Sequence, residues 1–133
     1  MEMQQLVIAG AGPAGVSAAL YAVRMGFPPL VIHNGYGALE KAEKIENYYG
    51  LPAPISGKEL YRNGLSQLQA LNVPVLKDEL LSITYDGEYT IQTSENVYHT
   101  KALILATGTK RNTLSLKELK KYEGNGISYC AVC

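Results

Sequence analysis

The stretch Leu6-Val-Ile-Ala-Gly-Ala-Gly-Pro-Ala-Gly15 decides the fold of this chain. Residues 5–9 predict a buried parallel strand, because the segment is short, branched and apolar and is followed at once by glycines. Pro13 suits the first turn of a helix, where its missing N–H removes a donor that has no partner anyway. The spacing Gly10-x-Gly12-x-x-Gly15, between a strand and a helix, is typical of a turn that binds a dinucleotide.

Each glycine of this turn has its own predicted role. Gly10 permits the tight turn, Gly12 lets the backbone approach a pyrophosphate, and Gly15 lets the helix pack on the strand. The first helical turn, with Pro13 and Ala14, offers free N–H groups and a partial positive charge to the phosphates. The sequence therefore predicts an α/β domain that binds a dinucleotide.

The ribose contact departs from the usual pattern. About 20 residues beyond such a fingerprint, at the end of the second strand, an acidic residue normally binds the ribose 2′-hydroxyl. Here His33 and Asn34 occupy that place. Either side chain can hydrogen-bond a hydroxyl, and an equally good interpretation is that His33 is a capped residue at the strand end.

The rest of the chain predicts alternating strands and helices. The first helix is expected to run to about Arg24, before Gly26 and a proline pair. Ser56-Gly-Lys-Glu59 is a capping box that begins a second helix. Further strands are predicted at 30–33, 73–76, 81–85, 89–93, 97–99 and 102–106. The three strands between 81 and 99 form an antiparallel group, and the last strand is parallel and buried.

The composition excludes several classes of protein. Of 133 residues, 47% are hydrophobic and 18% are charged, and 12 basic residues balance 12 acidic ones. No basic face is evident, so nucleic acid is not an expected partner. No apolar run approaches the about 18 to 20 residues of a membrane span, and no basic segment precedes the first strand as in a signal peptide. A cytoplasmic protein that interacts with neither membrane nor nucleic acid is expected.

The two cysteines of the chain form the motif Cys130-x-x-Cys133. A close thiol pair cycles between dithiol and disulfide, with one thiolate favoured by its neighbours. Half a metal site and two ordinary thiols are the alternatives, although a metal lacks further ligands because His33 and His99 are distant and strand-like. Together with the dinucleotide turn, the pair predicts electron transfer between a bound cofactor and a disulfide.

Four motifs, in order, resemble the N-terminal segment of the low-molecular-weight thioredoxin reductase family. They are Gly10–Gly15, Ile45-Glu-Asn-Tyr-Tyr-Gly50, Leu105-Ala-Thr-Gly108 and Gly126-Ile-Ser-Tyr-Cys-Ala-Val-Cys133. The resemblance implies an α/β fold, a Rossmann-like ββα-type FAD-binding domain with a parallel sheet, helices and a small antiparallel meander. It further implies that residues 1–112 are part of this domain, that residues 113–133 are a linker with the redox pair, and that the domain is incomplete.

The same resemblance implies how FAD is held. The Gly10–Gly15 turn would bind its pyrophosphate, and Asn47 would lie beside the isoalloxazine. The Leu80 backbone would contact the adenine, and Thr107-Gly108 would close over the cofactor.

The resemblance also implies the electron path. Cys133 would face the flavin, and Cys130 would exchange with the disulfide of a thioredoxin-like dithiol protein. In the family NADPH reduces FAD, but this sequence has no second GxGxxG. NADPH is therefore expected to bind only in a further part of the parent protein, which is expected to be a homodimer.

Departures from the family pattern leave alternatives open. The Gly-Gly-Gln-Leu flavin loop is Tyr36-Gly-Ala-Leu39 here, so the amide is absent at Ala38, and residues 116–120 replace an Ile-Pro-Gly-Glu turn. Weak or absent FAD binding is expected of this chain alone. The alternatives are a stand-alone dinucleotide-binding module, a split enzyme completed by a second polypeptide, and a relative that takes electrons from ferredoxin.

Overall fold

A computed structural model describes residues 3–110 and 112–130 of the chain. Its strands are β1 (Gln4–Ala9), β2 (Pro29–His33), β3 (Val75–Lys77), β4 (Leu80–Tyr85), β5 (Tyr89–Thr93) and β6 (Val97–Leu105). Its helices are α1 (Pro13–Arg24), α2 (Gly57–Ala70) and α3 (Leu119–Tyr122), with a 3-10 helix over Gly37–Lys41. The predicted α/β class is confirmed. In this part of the chain, no helix is long and apolar enough to cross a membrane.

All six strands lie in one sheet, in the order β3-β2-β1-β6-β5-β4. β1 pairs in parallel with β2 and β6, and β2 pairs in parallel with β3. β4, β5 and β6 form an antiparallel meander. The parallel sheet and the meander were both predicted, but they are joined through β6 into one mixed sheet.

The prediction of separate strands at 97–99 and 102–106 is wrong, because β6 runs unbroken through both. Thr100 is the residue where the two halves meet, since it pairs with Tyr89 of the meander and with Gln4 of β1. Its side chain is fully buried, and its hydroxyl donates to the carbonyl of Ala102 at 2.8 Å. This polar residue, which lies between the two predicted strands, is therefore satisfied inside the sheet.

The predicted burial of residues 102–106 is also wrong for the end of β6. Ile104 is 38% exposed and Leu105 is 62% exposed. Pairing of β6 with β5 reaches only to Thr100, so among the described residues the last part of β6 pairs with β1 alone.

The core lies on both faces of the sheet. On β1, Leu6 and Ile8 face the helices, where they pack with Val16 of α1 and Leu68 of α2. Val7 faces the opposite side, in a cluster with Leu30, Ile32, Ile91 and Tyr98 that includes residues of the meander. A strand buried on both faces is apolar without alternation, which explains the run that ends at the glycine turn.

The ends of both long helices follow from the sequence. Ser56 Oγ accepts a hydrogen bond from the N–H of Glu59 at 3.2 Å, which confirms the N-terminal cap of α2. α1 ends at Arg24, and Gly26 has a φ of +81°, a conformation that favours glycine.

Candidate functional site

The candidate site lies at the edge of the sheet where the parallel strands end. The N–H of Gly10 donates to the carbonyl of Ile32 at 2.7 Å, and the N–H of Ala106 donates to the carbonyl of Ala9 at 2.8 Å. These bonds hold the ends of β1, β2 and β6 side by side. In open parallel sheets, ligands bind outside this carboxyl edge.

Two glycines of the turn are required by packing. Gly10 has a φ of +116°, and a Cβ there would overlap the carbonyl oxygen of Ala106. A Cβ on Gly15 would overlap the carbonyl oxygen of Gly10. The turn can therefore approach the end of β6 this closely only with glycine at position 10, and α1 can begin this close to the turn only with glycine at position 15.

Gly12 is different, because a Cβ at this position would meet nothing within 4 Å. It is the N-cap of α1, no side chain caps the helix there, and the first turn contains no acidic residue. The first N–H groups of a helix have no partner within it, and the helix dipole places positive charge at this end. The open backbone therefore fits a pyrophosphate group.

A cleft of about 160 Å³ adjoins the turn. It is lined by Gly12 and Pro13 of the turn, by Tyr61 of α2, and by Leu39 and Tyr48 from the segment between β2 and α2. An antiparallel bridge between Ile45 and Ile55 closes that segment into a loop. Asn47 lies on this loop with an exposed side chain, next to the cleft residue Tyr48.

His33 ends β2 and is half-buried beside the turn. Its Nδ1 accepts the N–H of Gly35 at 3.1 Å and lies 2.8 Å from the hydroxyl oxygen of Tyr61. Burial lowers the pKa of His33 below its ordinary value of 6.5, the backbone hydrogen bond with Gly35 opposes this shift in part, and the positive charge of Lys77 adds to it. The lowered pKa favours the neutral ring at pH 7. The neighbouring Asn34 is exposed.

The junction between β3 and β4 also meets this edge. The N–H of Asp78 donates to the carbonyl of His33 at 2.9 Å. Leu80 follows two residues later at the start of β4, half-buried against the meander-side core. The structure thus places Asp78, two residues before Leu80, in contact with His33.

Asp78 is buried, and hydrogen bonds stabilise its charged form. Its Oδ1 accepts the hydroxyl of Ser94 at 2.7 Å and the N–H of Glu79 at 2.8 Å. Hydrogen bonds from Ser94 and Thr93 hold the pKa of Asp78 below its ordinary value of 3.8. The carboxylate therefore ties the β3–β4 junction to the end of β5.

The remaining predicted site residues follow β6 or lie near the described end of the chain. Thr107 and Gly108 are exposed, the backbone nitrogen of Thr107 lies beside Gly10, and Gly108 has a φ of +71°. Cys130 is not a free thiol, and its N–H donates to Ser128 Oγ at 3.2 Å. Cys133 lies outside the described residues.

Two residues of this edge are absent from the sequence-based predictions. Tyr61 could have been found, since Tyr61, Leu65 and Leu68 have the i, i+4, i+7 spacing of one helix face. Asp78 carries no such signal, because its partner Ser94 is 16 residues away and meets it only through the strand pairing.

The chain belongs to the pyridine nucleotide-disulphide oxidoreductase family, whose model matches residues 4–133. Among curated proteins it is similar to the thioredoxin reductase of Aquifex aeolicus, with 33% identity over 99% of this chain and 42% of that protein. It is also similar to the solved thioredoxin reductase of Streptococcus pyogenes, with a TM-score of 0.84 and 35% identity over 98% of this chain and 44% of that one.

A ferredoxin-flavin thioredoxin reductase of Clostridium acetobutylicum has a similar structure, with a TM-score of 0.75 and 29% identity over 98% of this chain and 46% of that one. The predicted resemblance to the thioredoxin reductases is confirmed. The chain spans less than half the length of these relatives.

Proposed function

We propose that this chain is the N-terminal part of the FAD-binding domain of a disulfide reductase similar to thioredoxin reductase. The observation that carries the proposal is the uncapped N-terminus of α1 at Gly12, open to a ligand and free of acidic side chains. FAD, when bound, supplies the two electrons that reduce the Cys130–Cys133 pair. The domain comprises residues 1–112, and residues 113–133 form the linker that carries the pair.

The residues assigned to FAD are those of the predicted site. Gly10, Gly12, Pro13, Ala14 and Gly15 hold the pyrophosphate through the turn and the helix N-terminus. The other assigned positions are His33 and Asn34 at the ribose, Leu80 at the adenine, Asn47 beside the flavin ring, and Thr107 and Gly108 over the cofactor.

The reduced cysteine pair then transfers electrons by thiol–disulfide exchange. The Cys130 thiolate attacks one sulfur of the partner disulfide, which forms a mixed disulfide and releases one partner thiolate that takes up a proton. The Cys133 thiolate next attacks the Cys130 sulfur. This step forms the Cys130–Cys133 disulfide and releases the second partner thiolate, so two electrons reach the partner.

The partner proposed is a thioredoxin-like dithiol protein, as the names of the relatives suggest. A cytoplasmic location is proposed because the cytoplasm keeps thiols reduced, and the Cys130–Cys133 pair must be reduced in each cycle. The parent is proposed to be a homodimer. NADPH is the proposed electron donor, bound in a further part of the parent, and the ferredoxin-flavin relative from Clostridium acetobutylicum supports ferredoxin as the second candidate.

Nucleotide binding is tested with the isotope-labelled 133-residue chain, titrated with FAD, ADP and riboflavin while its amide signals are recorded. Weak binding is expected, and we expect FAD and ADP, but not riboflavin, to shift the signals of residues 10–15. Equal shifts from riboflavin, or no shift from millimolar FAD and ADP, would contradict the assignment of the pyrophosphate. Stoichiometric FAD retained after dialysis would contradict the expected weak binding.

The dithiol role is tested by equilibrating the chain with oxidised and reduced thioredoxin of known potential, and then trapping free thiols for mass spectrometry. We expect reversible two-electron oxidation of the cysteine pair. Cys133→Ser should leave Cys130 able to form a mixed disulfide with a thioredoxin that lacks its resolving cysteine and whose remaining cysteine is activated as a disulfide with thionitrobenzoate, which leaves as the thiolate, whereas Cys130→Ser should not. Mixed disulfides formed equally by both variants would contradict the order of attack.

A further inference from the structure

The positive charge of this chain is concentrated in the segment that leads to the cysteine pair. Residues 110–123 contain five basic and two acidic residues, in a chain whose formal net charge is zero. Acidic charge is concentrated elsewhere, since residues 78–99 contain five acidic residues and neither lysine nor arginine. The cysteine pair is therefore preceded by the most basic segment of the chain.

The short helix α3 and the residues just before it expose this charge to solvent. Leu119 is buried and anchors the helix. Lys117, Lys120 and Lys121 are exposed, and none of the three ion pairs found among the described residues involves them. These three positive charges are therefore available to a partner.

Hydrogen bonds tie α3 to the segment that leads to Cys130. The N–H of Ile127 donates to the carbonyl of Tyr122 at 2.9 Å, and the N–H of Gly124 donates to the carbonyl of Ile127 at 2.9 Å. Glu123 and Ile127 also form an isolated parallel bridge. Three residues of chain span at most about 11 Å, so Cys130 lies close to this turn and to the lysines of α3.

Exposed apolar side chains accompany the lysines. Leu114 and Leu116 are each 60% exposed, and Tyr122 is 43% exposed. Protein interfaces combine apolar contacts with charged groups at the rim that select the partner. We call the six exposed residues of this segment the linker surface: Leu114, Leu116, Lys117, Lys120, Lys121 and Tyr122.

We propose that the linker surface docks the protein whose disulfide reacts with Cys130, and that it selects a partner with acidic side chains around that disulfide. The inference rests on the proposed function and deepens it, because it specifies the charge of the dithiol partner. Attraction between opposite charges raises the rate of association, and repulsion rejects a partner with a basic surface.

The charge preference is tested with the reduced Cys133→Ser chain and two peptides, each with one cysteine activated as a disulfide with thionitrobenzoate. The peptides differ only in the residues that flank the cysteine, which are glutamates in one and lysines in the other. The Cys130 thiolate attacks the peptide sulfur, a mixed disulfide forms, and thionitrobenzoate leaves as a coloured thiolate. The glutamate peptide should react about 10-fold faster at low ionic strength, and the two rates should converge at about 1 M salt.

Reversal of charge identifies the residues responsible. The triple variant Lys117→Glu, Lys120→Glu and Lys121→Glu should react faster with the lysine peptide than with the glutamate peptide. Lysines near Cys130 also change the reactivity of its thiolate, but this effect is common to both peptides and cancels in the ratio of the two rates.

A matched triple variant controls for net charge. Arg24→Glu, Arg62→Glu and Lys101→Glu make the same change in net charge at exposed positions of α1, α2 and β6. This variant should still prefer the glutamate peptide. Equal rates for the two peptides with the Cys133→Ser chain, or the same change of preference in both triple variants, would overturn the inference.

The apolar part of the linker surface is tested with a folded partner, a thioredoxin that lacks its resolving cysteine and is activated in the same way. Leu116→Ser should slow this reaction about 3-fold or more, on the scale of a lost apolar contact, and should leave the peptide rates unchanged. Leu81→Ser, at a leucine of β4 that is 57% exposed, is the control and should change neither. An unchanged rate with thioredoxin in Leu116→Ser would overturn the docking of a folded partner on these side chains.

The outcomes separate this inference from the proposed function. Should the reduced Cys133→Ser chain react with neither peptide nor thioredoxin, the proposed dithiol role fails and the docking surface with it. Should it react with both peptides at the same rate, the proposed function stands and the inference alone is wrong.

Discussion

The carbonyl oxygen of Gly10 lies in the space that a Cβ on Gly15 would need. The start of α1 is thus packed directly against the residue that follows β1. We predict that Gly15→Ala lowers the free energy of unfolding by about 1–3 kcal/mol, because the overlap is with backbone and cannot be relieved by a side-chain rotation. Urea unfolding measures this free energy. An unchanged midpoint in Gly15→Ala would contradict the close packing of Gly15 against Gly10.

Gly12→Ala provides the matched variant, because the same methyl group at Gly12 meets open space. Stability should fall by no more than about 1 kcal/mol, the usual scale of an N-cap change. ADP binding should nevertheless be lost, since the methyl group occupies the position where a phosphate approaches the backbone. ADP titration of Gly15→Ala and Gly12→Ala distinguishes the packing role of the first glycine from the ligand-binding role of the second. If the Gly12→Ala chain binds ADP normally, the nucleotide does not bind at Gly12.

The contrast between these two glycines shows what the sequence can predict. The turn, the start of α1 and the Ser56 cap of α2 depend on residues within a few positions of one another, so local rules were sufficient. The unbroken β6 was not predictable in this way. Thr100 and Lys101 separate the two apolar segments that predicted separate strands, but Thr100 is buried and pairs with Gln4 and Tyr89 from distant parts of the chain.

The same reason explains what was missed in the candidate site. The turn at Gly10–Gly15 is predicted by the glycine spacing alone. The contact of Tyr61 with His33 joins residues 28 positions apart, and it exists only because α2 packs over the end of β2. Long-range contacts of this kind depend on the assembled fold, so the sequence singled out His33 as a candidate site residue but not its contact with Tyr61.

The end of β6 offers a test of which apolar residues belong to the core. Leu103 packs against the meander-side cluster, whereas Leu105, two residues later on the same side of the strand, is 62% exposed. Leu103→Ala should destabilise the chain by about 2 kcal/mol or more, and Leu105→Ala by less than about 0.5 kcal/mol. Thermal or urea unfolding compares them, and equal losses would show that Leu105 is covered in solution.

The buried carboxylate of Asp78 predicts a loss of stability in acid. Its pKa in the folded chain is below the ordinary 3.8, so the stabilisation that it provides is present above about pH 4 and is lost as the pH falls through the folded pKa. Ser94→Ala removes the 2.7 Å hydrogen bond, and Ser82→Ala, on the exposed part of β4, is the control. Unfolding should be followed from pH 7 to pH 2 by circular dichroism.

Because the folded pKa of Asp78 then rises toward that of the unfolded chain, Ser94→Ala should be less stable than wild type at pH 7 and should lose less further stability below pH 4. Asp78→Asn removes the titrating group and should flatten the same part of the curve, while Ser82→Ala should follow the wild type. A steep acid limb that persists unchanged in Asp78→Asn would mean that another carboxylate controls acid unfolding.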